Sequence, residues 1–144
     1  MTNSGVVLLA DDNSTDAELT TRALELGGVD RNIVWVQDGQ EALDYVFCAG
    51  KYASRVSGNP QLVLLDLHMP KIDGLDVVAR IKANEKTRSI PVVIMSSSDQ
   101  ESDMIRSYAV YANSYIVKPV DFKQFTEQVS QLGRYWMNVN RAPL

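Results

Sequence analysis

The sequence has few of the residues that disulfide-bonded, zinc-binding or nucleic-acid-binding domains require. It contains one cysteine, Cys48, so no disulfide forms within the chain, and we expect a protein of the reducing cytoplasm. Asp and Glu outnumber Lys and Arg by 18 to 14, which argues against a basic face for nucleic acid or anionic lipid. The first residues carry neither a basic segment nor an apolar run long enough for a signal peptide or a membrane span. We therefore expect a cytoplasmic protein that binds neither nucleic acid nor membrane.

Short apolar runs alternate along the chain with segments of helical periodicity. The predicted strands cover residues 6–10, 33–36, 62–66, 91–95 and 115–117. The predicted helices cover 41–47 and 74–83 or follow capping residues at Asn13 or Ser14, Asp99 and Asp121. Five strand–helix units without a repeat or a linker predict one α/β domain, a doubly wound parallel sheet, over residues 1–144. Segment 48–61 is expected to be a surface insertion, and about 133–144 a helical extension.

Polar side chains lie at the carboxyl ends of the predicted strands. These ends meet at one edge of a parallel sheet, where ligands bind, so we expect the side chains to share one crevice. Charged groups at the ends of buried strands are costly unless they offset each other, which also favours a common site. The residues are Asp11, Asp12, Asp66, Ser96 and Lys118.

The three carboxylates predict a site for a divalent cation. Two unit charges about 4 Å apart repel by about 4 kcal/mol at the effective dielectric usual for proteins, so a proton or a cation must offset them. Oxygen ligands favour Mg²⁺ or Mn²⁺ over zinc, and the chain offers no set of Cys and His ligands. With such a cation, an aspartate can act as nucleophile and carry a phosphoryl group. Lys118 would then pair with the phosphate, and the Ser96 hydroxyl would hydrogen-bond one of its oxygens.

Four sequence strings resemble the receiver domain of bacterial two-component response regulators: LLADDNSTD, VLLDLHMPKIDG, PVVIMSSSD and YIVKPVD. The resemblance extends from residue 5 to about residue 132. It implies a flavodoxin-like fold with strand order 2-1-3-4-5. It also implies a signalling protein, not an enzyme, that accepts a phosphoryl group from a sensor histidine kinase on Asp66. Val120 departs from the family, since many receivers carry an aromatic residue at this position.

The resemblance also implies a role for each residue of the crevice. Metal ligands would be Asp11, Asp12, Asp66 and the backbone carbonyl of His68. Binding of the phosphoryl group and the switch that follows would involve Ser96, Lys118 and the aromatic Tyr115. The side chains that flank the path of water to the acyl phosphate, and so tune its slow loss, would be His68 and Ser98.

Within this family, the chain is most similar to the stand-alone regulators that partner bacterial phytochrome kinases. The similarity lies in DGQEALDYVF at 38–47, in the inserted AGKYASRVSGNPQ segment and in the tail RYWMNVNRAPL. A phytochrome-type kinase is therefore the expected phosphoryl donor. Nothing after residue 132 is long enough for an output domain, so we expect the signal to pass by contact with a downstream protein.

Other functions share part of this pattern. A motor-binding chemotaxis regulator and a phosphorelay intermediate would have the same fold and the same crevice. An Mg²⁺-dependent phosphatase with an aspartate nucleophile needs an acid two residues after the nucleophile, where this chain has His68. An FMN-binding protein needs a glycine- and hydroxyl-rich loop after the first strand, where this chain has Asp11 and Asp12.

The last predicted helix carries an apolar seam with steps of three and four residues. A domain of this fold buries the first three or four seam residues, whereas Trp136 and Val139 are expected to extend past the sheet. A Trp side chain buries about 200 Å², so an exposed one favours association. We therefore predict a homodimer through this helix and the fifth strand, with Phe122, Phe125, Val129 and Trp136 at the interface.

Overall fold

The apolar runs form a five-stranded parallel sheet in the computed structural model of the chain, which describes residues 5–29, 32–97 and 100–141. The strands are β1 (Val7–Ala10), β2 (Ile33–Val36), β3 (Leu62–Asp66), β4 (Val92–Ser96) and β5 (Ser114–Val117). The helices are α1 (Ser14–Leu26), α2 (Gly39–Val46), α3 (Gly74–Ala83), α4 (Glu101–Ala109) and α5 (Phe122–Arg134). A short 3₁₀ helix covers Gly50–Tyr52, and a π-helical turn at Tyr135–Val139 continues α5.

The strands lie in the order β2-β1-β3-β4-β5, which is the flavodoxin-like arrangement that the resemblance implied. All four pairings are parallel, so every carboxyl end lies on the same edge of the sheet. In register, Ala10 is opposite Leu65, Asp66 is opposite Met95 and Ser96 is opposite Val117. Neighbouring strands among β1, β3, β4 and β5 therefore end within one residue of each other.

Alternate strand residues face two separate cores, as the period of two in a strand requires. Val7, Leu9 and Leu64 pack with residues of α1 and α5 on one face. Leu8 and Leu65 pack with residues of α2 and α3 on the other face. Apart from Asp66 at the end of β3, the residues of β1, β3 and β4 are buried, because helices cover both faces of these strands.

Capping residues set the starts of three helices. The side chains of Asn13, Asp38 and Asp121 accept backbone N–H groups in the first turns of α1, α2 and α5. The cap at Asp38 explains why α2 begins at Gly39, two residues before the predicted start. Helix α4 begins after Gln100; the cap predicted at Asp99 lies outside the described residues.

Segment 48–61 is tied to the domain by Arg55. Its guanidinium donates to the carbonyls of Tyr45 (2.7 Å) and Val46 (3.3 Å) at the end of α2 and to those of Val56 (2.6 Å) and Gly58 (3.1 Å) in the segment itself. The guanidinium carbon also lies 4.3 Å from the centre of the Tyr45 ring. The predicted surface insertion therefore has a fixed path across the end of α2.

Most of the apolar seam of α5 is buried in the core of its own chain. Phe125 (7% exposed) and Val129 (1% exposed) belong to the core, so neither side chain presents a surface to a second copy. The prediction that they form a dimer interface is therefore revised to the exposed positions of the same helix, among them Phe122 at 61% exposure.

The tail after α5 continues the helix and packs partly against the core, contrary to the expectation that it extends past the sheet. Trp136 and Met137 pack against the core on the α1–α5 face, while Val139 is exposed. Gln61 fixes this path, because its amide donates to the Met137 carbonyl (2.9 Å) and accepts the N–H of Gly5 (2.9 Å). Within the described residues, we find no helix that is both long and apolar enough to cross a membrane.

Candidate functional site

The strand ends bring together side chains that are far apart in the sequence. Asp11 follows β1, Asp66 ends β3 and Lys118 follows β5. The Nζ atom of Lys118 lies 3.1 Å from Oδ2 of Asp11 and 3.3 Å from Oδ2 of Asp66. This confirms the expectation that these strand ends share one crevice.

Asp11, Asp12 and Asp66 form a cluster of carboxylates next to Lys118. Each offers an oxygen, and the three oxygens lie within 4.8 Å of one another. Asp11 is buried, Asp66 is partly buried and Asp12 is exposed, so the cluster is open to solvent on one side. Three oxygen donors with excess negative charge suit a hard divalent cation such as Mg²⁺ or Mn²⁺, and the open side allows the ion to enter.

Asp11 is the most enclosed of the three acids. Its Oδ1 accepts the backbone N–H of Asn13 (2.9 Å), and its Oδ2 faces Lys118. Burial raises the pKa of the Asp11 carboxyl, and the opposing effects of Asn13 and Lys118 are too small to reverse this. Burial therefore disfavours the ionised form of Asp11, and a bound cation would offset this cost.

Asp66 is held by its own strand end and by the loop that follows. Its Oδ1 accepts the backbone N–H of His68 (3.2 Å), while the His68 side chain is exposed. The chain comes back to the end of β3 at Gly74, whose N–H donates to the carbonyl of Leu67 (2.9 Å). A Cβ atom on Gly74 would lie 2.5 Å from the carbonyl oxygen of Asp66. Glycine at this position therefore allows the start of α3 to pack directly against the end of β3.

Lys118 remains a cation despite its burial. Burial lowers the pKa of Lys118, but the charges of Asp66 and Asp11 outweigh this effect and the pKa is raised overall. A third carboxylate, Asp16, lies 3.2 Å from the same Nζ atom. Three acids thus contact Lys118, while Asp12 belongs only to the carboxylate cluster beside it.

Sequence reasoning missed Asp16 and Trp35. Asp16 lies in the first turn of α1, where its N–H donates to the Asn13 side chain (3.0 Å). The signal for it was an acid in the helix turn that directly follows Asp11 and Asp12. Trp35, on the neighbouring strand β2, donates its indole N–H to the Asp11 carbonyl (2.8 Å). No residue pattern in β2 distinguished this tryptophan from a surface aromatic.

The remaining predicted residues lie around the cluster. Ser96 is buried at the end of β4, and its carbonyl accepts the N–H of Lys118 (2.7 Å). Tyr115 lies on β5 opposite Ile94, partly buried against the α2–α3 core. Ser98 lies outside the described residues.

Comparison with known proteins assigns the family. The model of the response regulator receiver domain matches residues 7–130. The chain therefore belongs to the response regulator receiver domain family, and its acidic crevice fits the phosphorylation site of such a domain.

Two related proteins match nearly all of the chain. The probable methanogenesis regulatory protein FilR2 of Methanothrix harundinacea is 38% identical over 138 residues, which cover 96% of this chain and 87% of that protein. The response regulator Rcp1 of Synechocystis sp. is 33% identical over 138 residues, which cover 96% of this chain and 92% of that protein. The chain is therefore similar to these regulators over almost their whole length.

Solved structures give the same result. The phosphorylated cyanobacterial phytochrome response regulator RcpA has a TM-score of 0.91 at 35% identity, with 98% of this chain and 99% of that chain covered. The Mn²⁺-bound form of Rcp1 has a TM-score of 0.88 at 33% identity, with 96% of this chain and 99% of that chain covered. The chain is a signalling receiver domain close to the phytochrome response regulators, and receiver domains of this type bind Mg²⁺ or Mn²⁺ at their acidic site.

Proposed function

We propose that Asp66 accepts a phosphoryl group from a phosphohistidine of a sensor histidine kinase. The contact between Asp66 and Lys118 beside two further acids is the observation that carries this proposal. An oxygen of Asp66 forms the new bond to phosphorus while the bond from phosphorus to the histidine nitrogen breaks. The electron pair of the broken bond stays on the imidazole, which then takes up a proton from water.

The residues around Asp66 have separate tasks in this reaction. Asp11, Asp12 and Asp66, together with the carbonyl of His68, would hold the Mg²⁺ or Mn²⁺ ion. When bound, the ion would shield the phosphoryl group from the carboxylates and offset the charge that develops during transfer. Lys118 contacts Asp66 and would neutralise one phosphoryl oxygen.

Substitution of Asp66 tests the proposal directly. Asp66→Asn removes the nucleophilic carboxylate but keeps the shape of the side chain, so Mg²⁺-dependent labelling by acetyl phosphate should fall by at least about a hundredfold. Asp76→Asn, at an exposed position in the first turn of α3, removes an equal charge and should label like the wild type. Mass spectrometry of the intact chain measures both. Undiminished labelling of Asp66→Asn would exclude Asp66 as the acceptor.

The donor kinase is proposed to be of the phytochrome type. The similarity to RcpA over nearly the whole chain supports this class of partner. FilR2, at higher identity than Rcp1, is named for a different process, so the labelling experiment should include kinases of several classes. Preferred transfer from a phytochrome kinase supports the proposal. Preferred transfer from a chemotaxis kinase or from a phosphotransfer protein would support the corresponding alternative function.

Phosphorylation is proposed to shift the conformation around α4 and β5. The Ser96 hydroxyl would turn towards the phosphoryl group, and Tyr115 would turn inward beside it. This role is supported by the position of Ser96 at the end of β4, where its carbonyl accepts the N–H of Lys118 and β5, which carries Tyr115, is the neighbouring strand. The altered face would then bind a downstream protein.

We propose that the phosphorylated domain loses its phosphoryl group slowly. The exposed His68 side chain is neither an acid nor an amide, and so is poorly suited to orient water at the acyl phosphate.

We propose that the whole chain is one receiver domain whose extension after about residue 133 supports a homodimer. The supporting observation is the open groove between β5 and the end of α5.

A further inference from the structure

Lys118 has no hydrogen-bond donor to spare in the unphosphorylated crevice. Its Nζ atom lies 3.1 Å from Asp11, 3.2 Å from Asp16 and 3.3 Å from Asp66, in each case measured to Oδ2. An ammonium group has three N–H donors, and these three carboxylates occupy all of them. The lysine side chain is 9% exposed. A phosphoryl oxygen that binds Lys118 must therefore replace one of the three.

The three carboxylates differ in how readily they can be replaced. The second oxygens of Asp11 and Asp66 are each held by a backbone N–H, and these side chains are 3% and 16% exposed. The Asp16 side chain is 39% exposed, and Lys118 is its one hydrogen-bond partner among the residues that the structure describes. Water can hydrate Asp16 once the contact is broken, and partly exposed ion pairs contribute little net free energy. Asp16 is therefore the partner that Lys118 exchanges at the least cost.

We propose that Asp16 is a positioning residue that holds Lys118 in the unphosphorylated crevice and releases it to the phosphoryl group. This inference rests on the proposed phosphorylation of Asp66. Asp16 is suited to the role because its backbone N–H is bound by the Asn13 side chain (3.0 Å), which fixes the first turn of α1 beside the crevice. The contact keeps the ammonium directed at the site before the phosphoryl group arrives. It also competes with the phosphoryl group for the same donor, so Asp16 sets how tightly the domain holds an anion.

The expected effect is a tighter complex with a phosphate analogue when the Asp16 charge is removed. Asp16→Asn keeps the size of the side chain and an acceptor oxygen but weakens the hold on Lys118. At saturating Mg²⁺, the dissociation constant of beryllofluoride should fall by about fivefold, the factor that corresponds to a partly exposed ion pair. Asp16→Glu, which keeps the charge, should have the same dissociation constant for beryllofluoride as the wild type. Titrations followed by backbone amide resonances measure these constants.

Glu18→Gln provides the matched control. It removes the same charge from the same helix, but Glu18 pairs with the exposed Arg22 and does not contact Lys118. Its beryllofluoride constant should stay within about twofold of the wild type, since a charge in contact only with solvent and a surface partner is largely screened. The ¹⁵Nζ resonance of Lys118 without ligands gives a second readout. It should shift in Asp16→Asn and not in Glu18→Gln, which a general change in charge or folding would not produce.

The outcomes separate this inference from the proposed function. If the wild type binds beryllofluoride but Asp16→Asn binds it no more tightly, the role of Asp16 is wrong. An equal gain in beryllofluoride affinity in Glu18→Gln would also contradict the role of Asp16, because the gain would then follow from the loss of charge alone. If the wild type fails to bind beryllofluoride with Mg²⁺, the phosphoryl-acceptor function itself is wrong.

Discussion

Asp11 is a residue of the crevice whose burial affects the stability of the folded protein. The carboxyl is buried, and its raised pKa means that the folded protein binds a proton at Asp11 more tightly than the unfolded chain does. The cost of ionising Asp11 therefore grows as the pH rises from about the ordinary value of 3.8 through the raised pKa, and it is complete above that pKa. At neutral pH without a divalent cation, Asp11 therefore lowers the free energy of unfolding.

Asp11→Asn should accordingly raise the free energy of unfolding in EDTA at neutral pH, because it removes the ionisable group and keeps an acceptor for Asn13. In Mg²⁺ at a hundred times its dissociation constant, the wild type should gain about 2.7 kcal/mol and the variant much less. Urea denaturation measures both quantities. Glu25→Gln, an exposed change on α1, is the control and should behave like the wild type under both conditions. A less stable Asp11→Asn in EDTA would contradict the role assigned to burial.

Some contacts between residues of the crevice could be predicted from the sequence, and one could not. Asp11, Asp66 and Lys118 could be predicted to meet, because each follows or ends an apolar run and parallel strands bring such positions together. The contact of Asp16 with Lys118 could not, because it depends on the angle at which α1 leaves β1. Several different angles are compatible with the same helical periodicity.

At the scale of the elements, the strands and helices follow from the pattern of apolar residues. β2, β3 and α3 have the predicted bounds, and the other strands start within one residue of prediction. Segment 48–61 is different, since its path depends on one side chain. The Arg55 guanidinium donates to the carbonyls of Tyr45 and Val46, which are not its neighbours in sequence. They come within range of Arg55 only when α2 has folded. Local composition indicates a loop there but carries no information on its course.

The β4–β5 pair should also carry the conformational switch. With beryllofluoride and Mg²⁺, the amide and ring resonances of Tyr115 should shift along with those of the crevice, because the Ser96 hydroxyl turns to the anion. In Ser96→Ala the analogue should still bind, but the Tyr115 shift should largely disappear. The NMR spectra of the two forms with the analogue bound make this comparison.

Ser97→Ala is the matched control for the switch, since it removes the hydroxyl of the next residue, which is exposed. It should leave the Tyr115 shift intact. If Tyr115 shifts equally in Ser96→Ala, the signal does not pass through the Ser96 hydroxyl. If Tyr115 does not respond in the wild type, the proposed switch is absent from this chain.

At the scale of the whole molecule, β5 forms one edge of the sheet. β5 is an edge strand whose four residues are all only partly buried. Beside it runs a groove of about 490 Å³, bounded by the strand, the second half of α5 and the π-helical turn. Tyr135 and Trp136 line it, with ring centres 5.2 Å apart in an edge-to-face arrangement. An edge strand next to exposed aromatic surface is suited to association with a second copy.

The proposed homodimer should therefore depend on Tyr135 more than on the buried seam of α5. Tyr135 is 49% exposed, so Tyr135→Lys changes the surface without disturbing the core, and a cation is tolerated at the end of a helix. Loss of an aromatic contact at the centre of an interface costs about 2 kcal/mol, so the dimer dissociation constant should rise by about thirtyfold. Leu26→Lys, at the exposed end of α1, makes a comparable change away from the groove and should leave the constant unchanged. Sedimentation equilibrium, with and without beryllofluoride, measures the association. A wild-type monomer under both conditions, or an equal loss in Leu26→Lys, would contradict a dimer through this face.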